Sequence, residues 1–408
     1  MCAHVQRMFL EAPEMRSRRH ITILPVLLIL SVFAARTKAQ DEQWLQYRSS
    51  NEASQIIGNM RSLSPTPSLA KPEGVTVPDF ASDQPMFQRW QTPMAESGGL
   101  WMAFDRTTKH GLHDRLYIDS DGDGDLSDES PYEPYRRDTY RSYFGPVKVL
   151  FEGEDGPLTY HLNVEFYASR AWLRCYIRPA AWYEGPVVIN GQKKHCVLID
   201  YNVNGAFNDK SANSSECDRI RIGKEDERDT RHVGNYIEVD DKLYRTEIAQ
   251  DGAFVVLTKA DDVVYGTVRL ADNITSFAAG GVNGLFVRQP EDGTAKLPVG
   301  KYRIDYWNIV KKDDKGSRWE LRGSGFSAAE GDFTVSQDEE TELEIGEPIY
   351  SRATVRKRGS YYSFGQELEG KHAERIELTR SGSRPRPPKL RIRNKDGTYD
   401  RAMSFEYG

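Results

Sequence analysis

Short apolar runs alternate with turn-forming residues over most of the chain, beginning near Gly98. Runs of this length are typical of β-strands, and no segment after Gly98 carries the 3.6-residue period of a long helix. The clearest predicted strands are 100–104, 116–118, 147–151, 160–167, 172–177, 187–189, 196–199, 236–239, 244–248 and 254–258. The pattern predicts an all-β domain, an antiparallel sandwich or barrel, over residues 96–262.

The C-terminal third continues the pattern in smaller units. Predicted strands at 264–270, 285–287, 302–307, 333–335 and 341–345 complete one unit near Gly346, and strands at 375–378 and 389–393 belong to the last. We expect two β-sandwich modules, over residues 263–346 and 347–408.

Residues 40–95 show a weaker pattern. A short helix is predicted between Glu42 and Met60, and the prolines that follow, Pro65, Pro67, Pro72 and Pro78, favour an extended linker or lead-in.

The first 39 residues have the pattern of an export signal. Arg16, Arg18 and Arg19 precede an apolar run at 21–35, and Ala39 ends a small-residue cleavage site. We expect a signal peptide over residues 1–39 and a secreted, periplasmic or cell-surface protein. An uncleaved membrane anchor is the alternative.

Composition limits the classes of partner. The chain has 408 residues, a net charge of -6 and 28% charged residues, and neither half is polybasic or polyacidic. Nucleic acid is therefore not expected as a partner, and no membrane contact is expected beyond the export signal. Cys175, Cys196 and Cys217 leave room for one disulfide of undetermined pairing, and their spacing matches no zinc site.

The most informative stretch is the acidic loop at residues 119–128, called loop one. Asp119, Asp121 and Asp123 occupy its first, third and fifth positions, and Gly124 follows at the sixth. Such spacing turns carboxylates toward one point, where they repel one another unless a cation binds. We predict calcium binding by Asp119, Asp121, Asp123 and Asp128, with Asp125 supplying its backbone carbonyl. An exposed acidic turn without an ion is the alternative.

A second copy, loop two, spans residues 200–209 and predicts a weaker calcium site. Asp200, Asn202, Asn204, Ala206 and Asp209 align with the five proposed ligand positions of loop one. An apolar residue, Leu126 or Phe207, directly follows the fourth of these positions in each copy. Because two carboxylates are replaced by amides, we expect loop one to bind calcium more tightly. Neither loop fits an EF-hand well, since serine replaces the glutamate of the twelfth position and strand-like residues lead into both.

With the runs 115–119 and 197–200 that enter the loops, and the closing residues 405–408, the chain resembles a group of uncharacterised exported bacterial β-rich proteins. The segments 297–302 and 333–346 resemble prealbumin-like or carboxypeptidase-regulatory-like modules. The resemblance implies export, β-rich modules and calcium loops, and it implies no reaction.

Two classes of function remain open from the sequence. A structural or surface-binding calcium protein is favoured, because no catalytic motif is found. A carbohydrate-binding protein or hydrolase is the alternative, since Trp172, Trp182, Tyr183 and Tyr201 would form a sugar-stacking surface if exposed. A cell-surface polysaccharide or protein is the expected partner. The pair His110 and His113 is interpreted as part of a surface loop rather than a metal site.

Overall fold

The computed structural model describes residues 42–58, 60–108, 111–153, 156–169 and 172–407, so the predicted signal segment lies outside them. In these ranges the chain forms 29 β-strands and two short helices, α1 (Ala53–Ile57) and α2 (Ala328–Gly331). Strands pair antiparallel except in one pair, and none of these sheets closes into a barrel. The predicted all-β class is confirmed, as open antiparallel sheets.

Four sheets surround the first hydrophobic core. They are β3–β4–β5 (Met86–Gln91, Gly99–Asp105, Arg115–Ile118), β6–β7–β8–β9 (Arg136–Arg137, Arg141–Gly153, Gly156–Ala168, Leu173–Pro179), β13–β12–β11–β10–β2 (Arg231–His232, Arg219–Gly223, Gln192–Ile199, Ala181–Ile189, Gln46–Ser49) and β1–β16–β15–β14 (Gln43–Trp44, Phe254–Lys259, Lys242–Ile248, Tyr236–Val239). The rings of Phe104 and Phe166 stack at 4.2 Å between two of them. Burial of one such side chain contributes roughly 2–3 kcal/mol. The core therefore fixes the ends of β5 and β11, from which the two loops emerge.

A second core lies between a three-stranded and a larger sheet. The first is β20–β17–β24 (Thr294–Pro298, Tyr265–Arg269, Glu340–Glu342), and the second is β19–β18–β21–β22–β27–β26–β25 (Gly284–Arg288, Ser276–Gly281, Gly300–Lys312, Arg318–Ser324, Arg375–Arg380, Tyr361–Glu369, Tyr350–Arg358), with β23 (Asp332–Val335) beside β21. Trp307 is fully buried there, and its indole N–H donates to the buried carboxylate of Glu374 at 3.1 Å. Pairing of β22 with β27 carries this sheet from residues before Gly346 to residues after it.

The segment assigned to a linker holds more regular structure than its pattern predicts. β1 and β2 join sheets of the first core, and the helix expected between Glu42 and Met60 is confined to α1. Before Ser50, long-range strand pairing overrides the helix propensity of the segment. At the turn into α1, the Ser50 hydroxyl accepts the Glu52 N–H. Further along the segment, Trp90 on β3 is fully buried. The lead-in is therefore part of the first core.

The last two hairpins are joined only loosely to the rest of the fold, although Leu368 of β26 packs against the second core. β25–β26 joins its sheet through one pair, Glu369 with Arg375, and every residue of β25 is exposed. The final hairpin, β28–β29 (Lys389–Arg393, Asp400–Ser404), is a separate two-stranded sheet. Their surfaces are therefore available to a partner.

Two further features concern the whole described chain. Cys175, Cys196 and Cys217 are buried and unpaired, so none of them forms the disulfide that the sequence allowed. Among the described residues, no helix has the length and apolar character needed to cross a membrane.

Candidate metal centre

Loop one begins where β5 leaves the first core. Asp119 is 2% exposed, and its backbone N–H donates to the Trp101 carbonyl at 2.9 Å. Its two carboxylate oxygens accept the N–H groups of Gly122 and Gly124, at 2.8 and 3.3 Å. Both glycines have φ near +80°, a conformation that side chains with a Cβ rarely adopt. The glycines of the motif thus wrap the backbone around Asp119.

Three carboxylates converge at this loop. Asp119, Asp121 and Glu129 each offer an oxygen, and these oxygens all lie within 4.8 Å of one another. Calcium binds oxygens at about 2.3–2.6 Å, so oxygens that share one ion lie up to roughly 5 Å apart. The three residues therefore fit a hard divalent cation, with Asp121 exposed and Glu129 half-buried at the open side.

The electrostatics of this group favour a cation. Burial raises the pKa of Asp119 above its ordinary value, and the charges of Asp123 and Asp121 raise it further. Burial also raises the pKa of Glu129. The Ser120 N–H, which donates to the Glu129 carboxylate at 2.5 Å, acts to lower this pKa but does not outweigh burial. A raised carboxylate pKa means that the ionised form of the carboxylate is destabilised in the folded protein. A bound divalent ion would offset that destabilisation.

The other predicted ligands of loop one lie outside the group of three. The Asp123 carboxylate accepts the Asp125 N–H at 2.7 Å, and the Asp125 carboxylate accepts the Ser127 N–H at 2.7 Å. Asp128 is exposed. The Asp123 and Asp125 side chains cap successive turns, as short acidic residues do in loops.

Glu129 is a candidate metal ligand that sequence reasoning missed. It lies at the eleventh position counted from Asp119. An EF-hand has its glutamate at the twelfth position, which is Ser130 in this chain. An acidic residue directly beside the expected position was the available signal.

Residues of the lead-in hold the far side of loop one. The Thr76 N–H donates to the Gly124 carbonyl at 3.0 Å, and the Leu126 N–H donates to the Thr76 carbonyl at 2.9 Å. Leu126 is fully buried in a small cluster with Val75 and Phe87. The apolar position after the acidic turn therefore anchors the loop to a strand-like segment more than 40 residues earlier in the chain.

Loop two surrounds its first aspartate with donors. Asp200 is fully buried, and its carboxylate accepts the N–H groups of Val203, Asn204 and Gly205 at 2.6, 3.2 and 2.7 Å. The Tyr160 hydroxyl donates a fourth hydrogen bond at 2.7 Å. Burial still raises the pKa of Asp200, to about 6. In loop two, dipoles of the protein itself thus stabilise the buried charge.

Two asparagines of loop two also act as donors. The amide nitrogens of Asn202 and Asn204 donate to one oxygen of Asp209, at 3.0 and 2.7 Å. The Asn204 amide oxygen accepts the Ala206 N–H at 2.9 Å. The Asn202 amide oxygen is buried and accepts no hydrogen bond from the described residues, so it is available to a cation without the loss of a bond. Amide donors thus bind Asp209 in loop two, whereas three carboxylates converge at loop one.

An acidic residue outside the ten-residue motif supports each loop. Asp218 accepts the Tyr201 N–H at 3.0 Å, as Glu129 accepts that of Ser120 in loop one. Asp218 also accepts the Asp209 N–H at 2.9 Å, and burial raises its pKa well above the ordinary value. Asp218 lies further from its loop in sequence than Glu129, so the motif gave no sign of it.

The remaining candidates are dispersed. His113 is buried with its pKa lowered by burial to about 4, and His110 lies outside the described residues. Asp105 and Asp114, two acidic residues that precede loop one, accept backbone N–H groups of Ser82 and Thr107.

The four aromatic residues predicted as a sugar platform do not share one surface. Trp172 is 60% exposed and Trp182 is 5% exposed. Tyr183 packs edge-on against the buried ring of Phe207, and Tyr201 lies beneath the Arg219 guanidinium at 4.0 Å. Most of this set therefore serves packing.

Comparison with protein-family models, with curated proteins and with solved structures returned no match for this chain. The resemblance drawn from the paired loops stays a prediction.

Proposed function

We propose that loop one binds calcium through Asp119, Asp121 and Glu129, and that the ion stabilises an exported protein with a structural or surface-binding role. The observation that carries this proposal is the convergence of three carboxylate oxygens within 4.8 Å of one another, one of them from the buried Asp119. The pattern of the first 39 residues supports export, and calcium outside the cell is commonly in excess of weak sites.

The ion would act at a junction of several strands. Asp119 links loop one to β4, and the Ser120 carbonyl of the loop accepts the Leu150 N–H of β7 at 2.8 Å. Thr76 ties the same loop to the lead-in. Binding to the folded chain alone adds RT ln(1 + [L]/Kd), which is about 1.4 kcal/mol per site at tenfold excess. Calcium would therefore stabilise the first core by holding its segments together.

Thermal unfolding tests the proposal. In calcium at tenfold excess over Kd, the melting temperature of the chain from Gln40 should exceed that in chelator by about 2–5 °C. Asp121→Asn, which removes one charge from the exposed side of the group, should reduce this difference. An unchanged melting temperature with and without chelator would contradict the proposal.

Loop two is proposed as the weaker site, because its amide donors already satisfy Asp209. Asp121→Ala should therefore remove more of the calcium heat in titration calorimetry than Asn202→Ala. The opposite order would overturn this ranking.

A further inference from the structure

Charge is strongly segregated between the C-terminal residues and the rest of the chain. Residues 350–408 contain fourteen Lys and Arg against seven Asp and Glu, a net charge of +7. The first 349 residues contain 41 basic and 54 acidic residues, a net charge of -13. The mixed composition of the whole chain hides this division. A basic module on an acidic body is the electrostatic pattern of a protein that binds a polyanion through one end.

Hairpin β25–β26 presents its free cations near the tip. Arg356 lies opposite Ser363 and Arg358 lies opposite Tyr361, so no carboxylate faces either arginine across the strands. The acidic residues of the hairpin, Glu367 and Glu369, lie at its base. There Glu369 pairs with Arg352 at 2.9 Å. Positive charge is thus neutralised at the root and left free at the tip.

The last hairpin also carries a series of cations. Lys389, Arg391 and Arg393 alternate along β28, so they share one face at intervals of about 7 Å. Arg391 forms a bidentate pair with Asp400. Among the described residues, Lys389 and Arg393 have no ion-pair partner. A row of spaced cations suits a linear chain of anionic groups better than a single small anion.

Exposed tyrosines accompany these cations. The large exposed hydrophobic side chains of this region are Tyr350, Val355, Tyr361, Tyr362, Tyr399, Met403 and Tyr407. Tyr361 is the most open, at 80% exposure, and the Lys357 ammonium lies 5.5 Å from the Tyr362 ring. A tyrosine offers an apolar ring face and a hydroxyl together, which matches the apolar faces and hydroxyl groups of sugar rings. Only Val355 and Met403 would suit the hydrocarbon of a bilayer.

We propose that the two C-terminal hairpins bind an acidic polysaccharide, a linear chain bearing sulfate or carboxylate groups. The guanidinium and ammonium groups of the hairpins pair with its anions, and the exposed tyrosines pack on its sugar rings. The acidic body repels the same polymer, so binding is confined to the projecting hairpins. The choice of a polysaccharide over nucleic acid rests on the proposed surface-binding role outside the cell.

Binding to immobilised heparin, a sulfated polysaccharide, tests this proposal on the chain from Gln40. The variant Arg356→Gln/Lys357→Gln/Arg358→Gln should weaken binding by about tenfold or more. The matched control Lys71→Gln/Lys193→Gln/Lys224→Gln removes three exposed lysines from the acidic body and should change binding less than about twofold. Raising salt from about 50 to about 500 mM should weaken the wild-type interaction strongly.

Three results would overturn the proposal. The first is absence of heparin binding at low salt, and the second is equal loss in the two triple variants. The third is tighter binding to single-stranded DNA or to vesicles containing phosphatidylserine than to heparin under the same conditions. Neutral dextran should not bind. The hairpin variant keeps loop one intact, so its calcium-dependent melting shift reports the proposed function separately.

Discussion

At the scale of single residues, the two loops differ in what neutralises the buried carboxylate at their first position. Asp119 accepts two backbone N–H groups and stands beside two further acids. Asp200 accepts three N–H groups and the Tyr160 hydroxyl. Hydrogen-bond donors and a divalent cation offset the same charge by different means. Loop one is therefore the one that gains more from an ion.

A matched pair of substitutions tests the assignment of Glu129. Glu129→Gln keeps an oxygen that can accept the Ser120 N–H and removes the charge, so calcium affinity should fall about tenfold or more. Asp128→Asn makes the same charge change outside the converging group and should cost less than Glu129→Gln. Titration calorimetry of both variants measures this. Equal losses would show that total charge, rather than ligation by Glu129, controls affinity.

Removal of the Tyr160 hydroxyl tests the internal donors of loop two. Tyr160→Phe leaves the buried Asp200 with one hydrogen bond fewer, and the free energy of unfolding should fall by about 1–3 kcal/mol. Tyr143→Phe removes a hydroxyl bonded to the exposed Asp138 and should cost less than about 0.5 kcal/mol. Urea denaturation in chelator provides both values. Equal costs would contradict the role given to the hydroxyl.

At the scale of elements, the hairpin β25–β26 shows where pattern reading fails. Strands are recognised by apolar residues at every second position, because one face is normally buried. Every residue of β25 is exposed, so neither face of the strand needs apolar residues and its sequence lacks the alternating pattern. Neither strand was predicted, although the turn at Gly359 and Ser360 separates them. The same exposure makes this hairpin a candidate for partner binding.

The turn between β26 and β27 contains a pH-sensitive contact. The His372 ring lies 2.8 Å from the Glu330 carboxylate through Nδ1 and 2.7 Å from the Glu344 carbonyl through Nε2. Both partners are acceptors, so only the protonated ring satisfies both. Partial burial acts to lower the pKa of His372, but these hydrogen bonds outweigh it and raise the pKa.

This contact should stabilise the protein at low pH. Because the folded-state pKa exceeds the unfolded value of about 6.5, the contribution is fully present below that pH and is lost as pH rises through the folded pKa. His372→Gln should therefore lower the free energy of unfolding by about 1–2 kcal/mol near pH 6, and by less near pH 9. Urea denaturation at the two pH values measures this. A cost independent of pH would refute it.

At the scale of the whole molecule, the second core depends on residues after Gly346. Ile376 is buried in this core, Glu374 accepts the Trp307 indole N–H, and β27 pairs with β22 along its length. By contrast, β28–β29 pairs only with itself among the described strands. Stability should therefore depend on the first part of the C-terminal segment and not on its end.

Two truncations separate these parts. A chain ending at Ser383 should melt within about 2 °C of the full chain, because the hairpin β28–β29 that it loses pairs only with itself among the described strands. A chain ending at Gly346 should lose at least about 5 °C, because it uncovers Trp307 and one edge of β22. Calorimetry of both chains measures the difference. Equal melting temperatures for the two truncations would contradict this division.

The sequence by itself determined the all-β class, most strand positions of the first core and the two loops, because these follow from local alternation and from aspartate–glycine spacing. Only the tertiary structure decided that Glu129 joins Asp119 and Asp121, that Asn202 and Asn204 turn their nitrogens toward Asp209, and that the lead-in enters the core. Each of these depends on which groups distant strands bring together. Hydrogen-bond direction and burial are properties of that packing, and no local pattern encodes them.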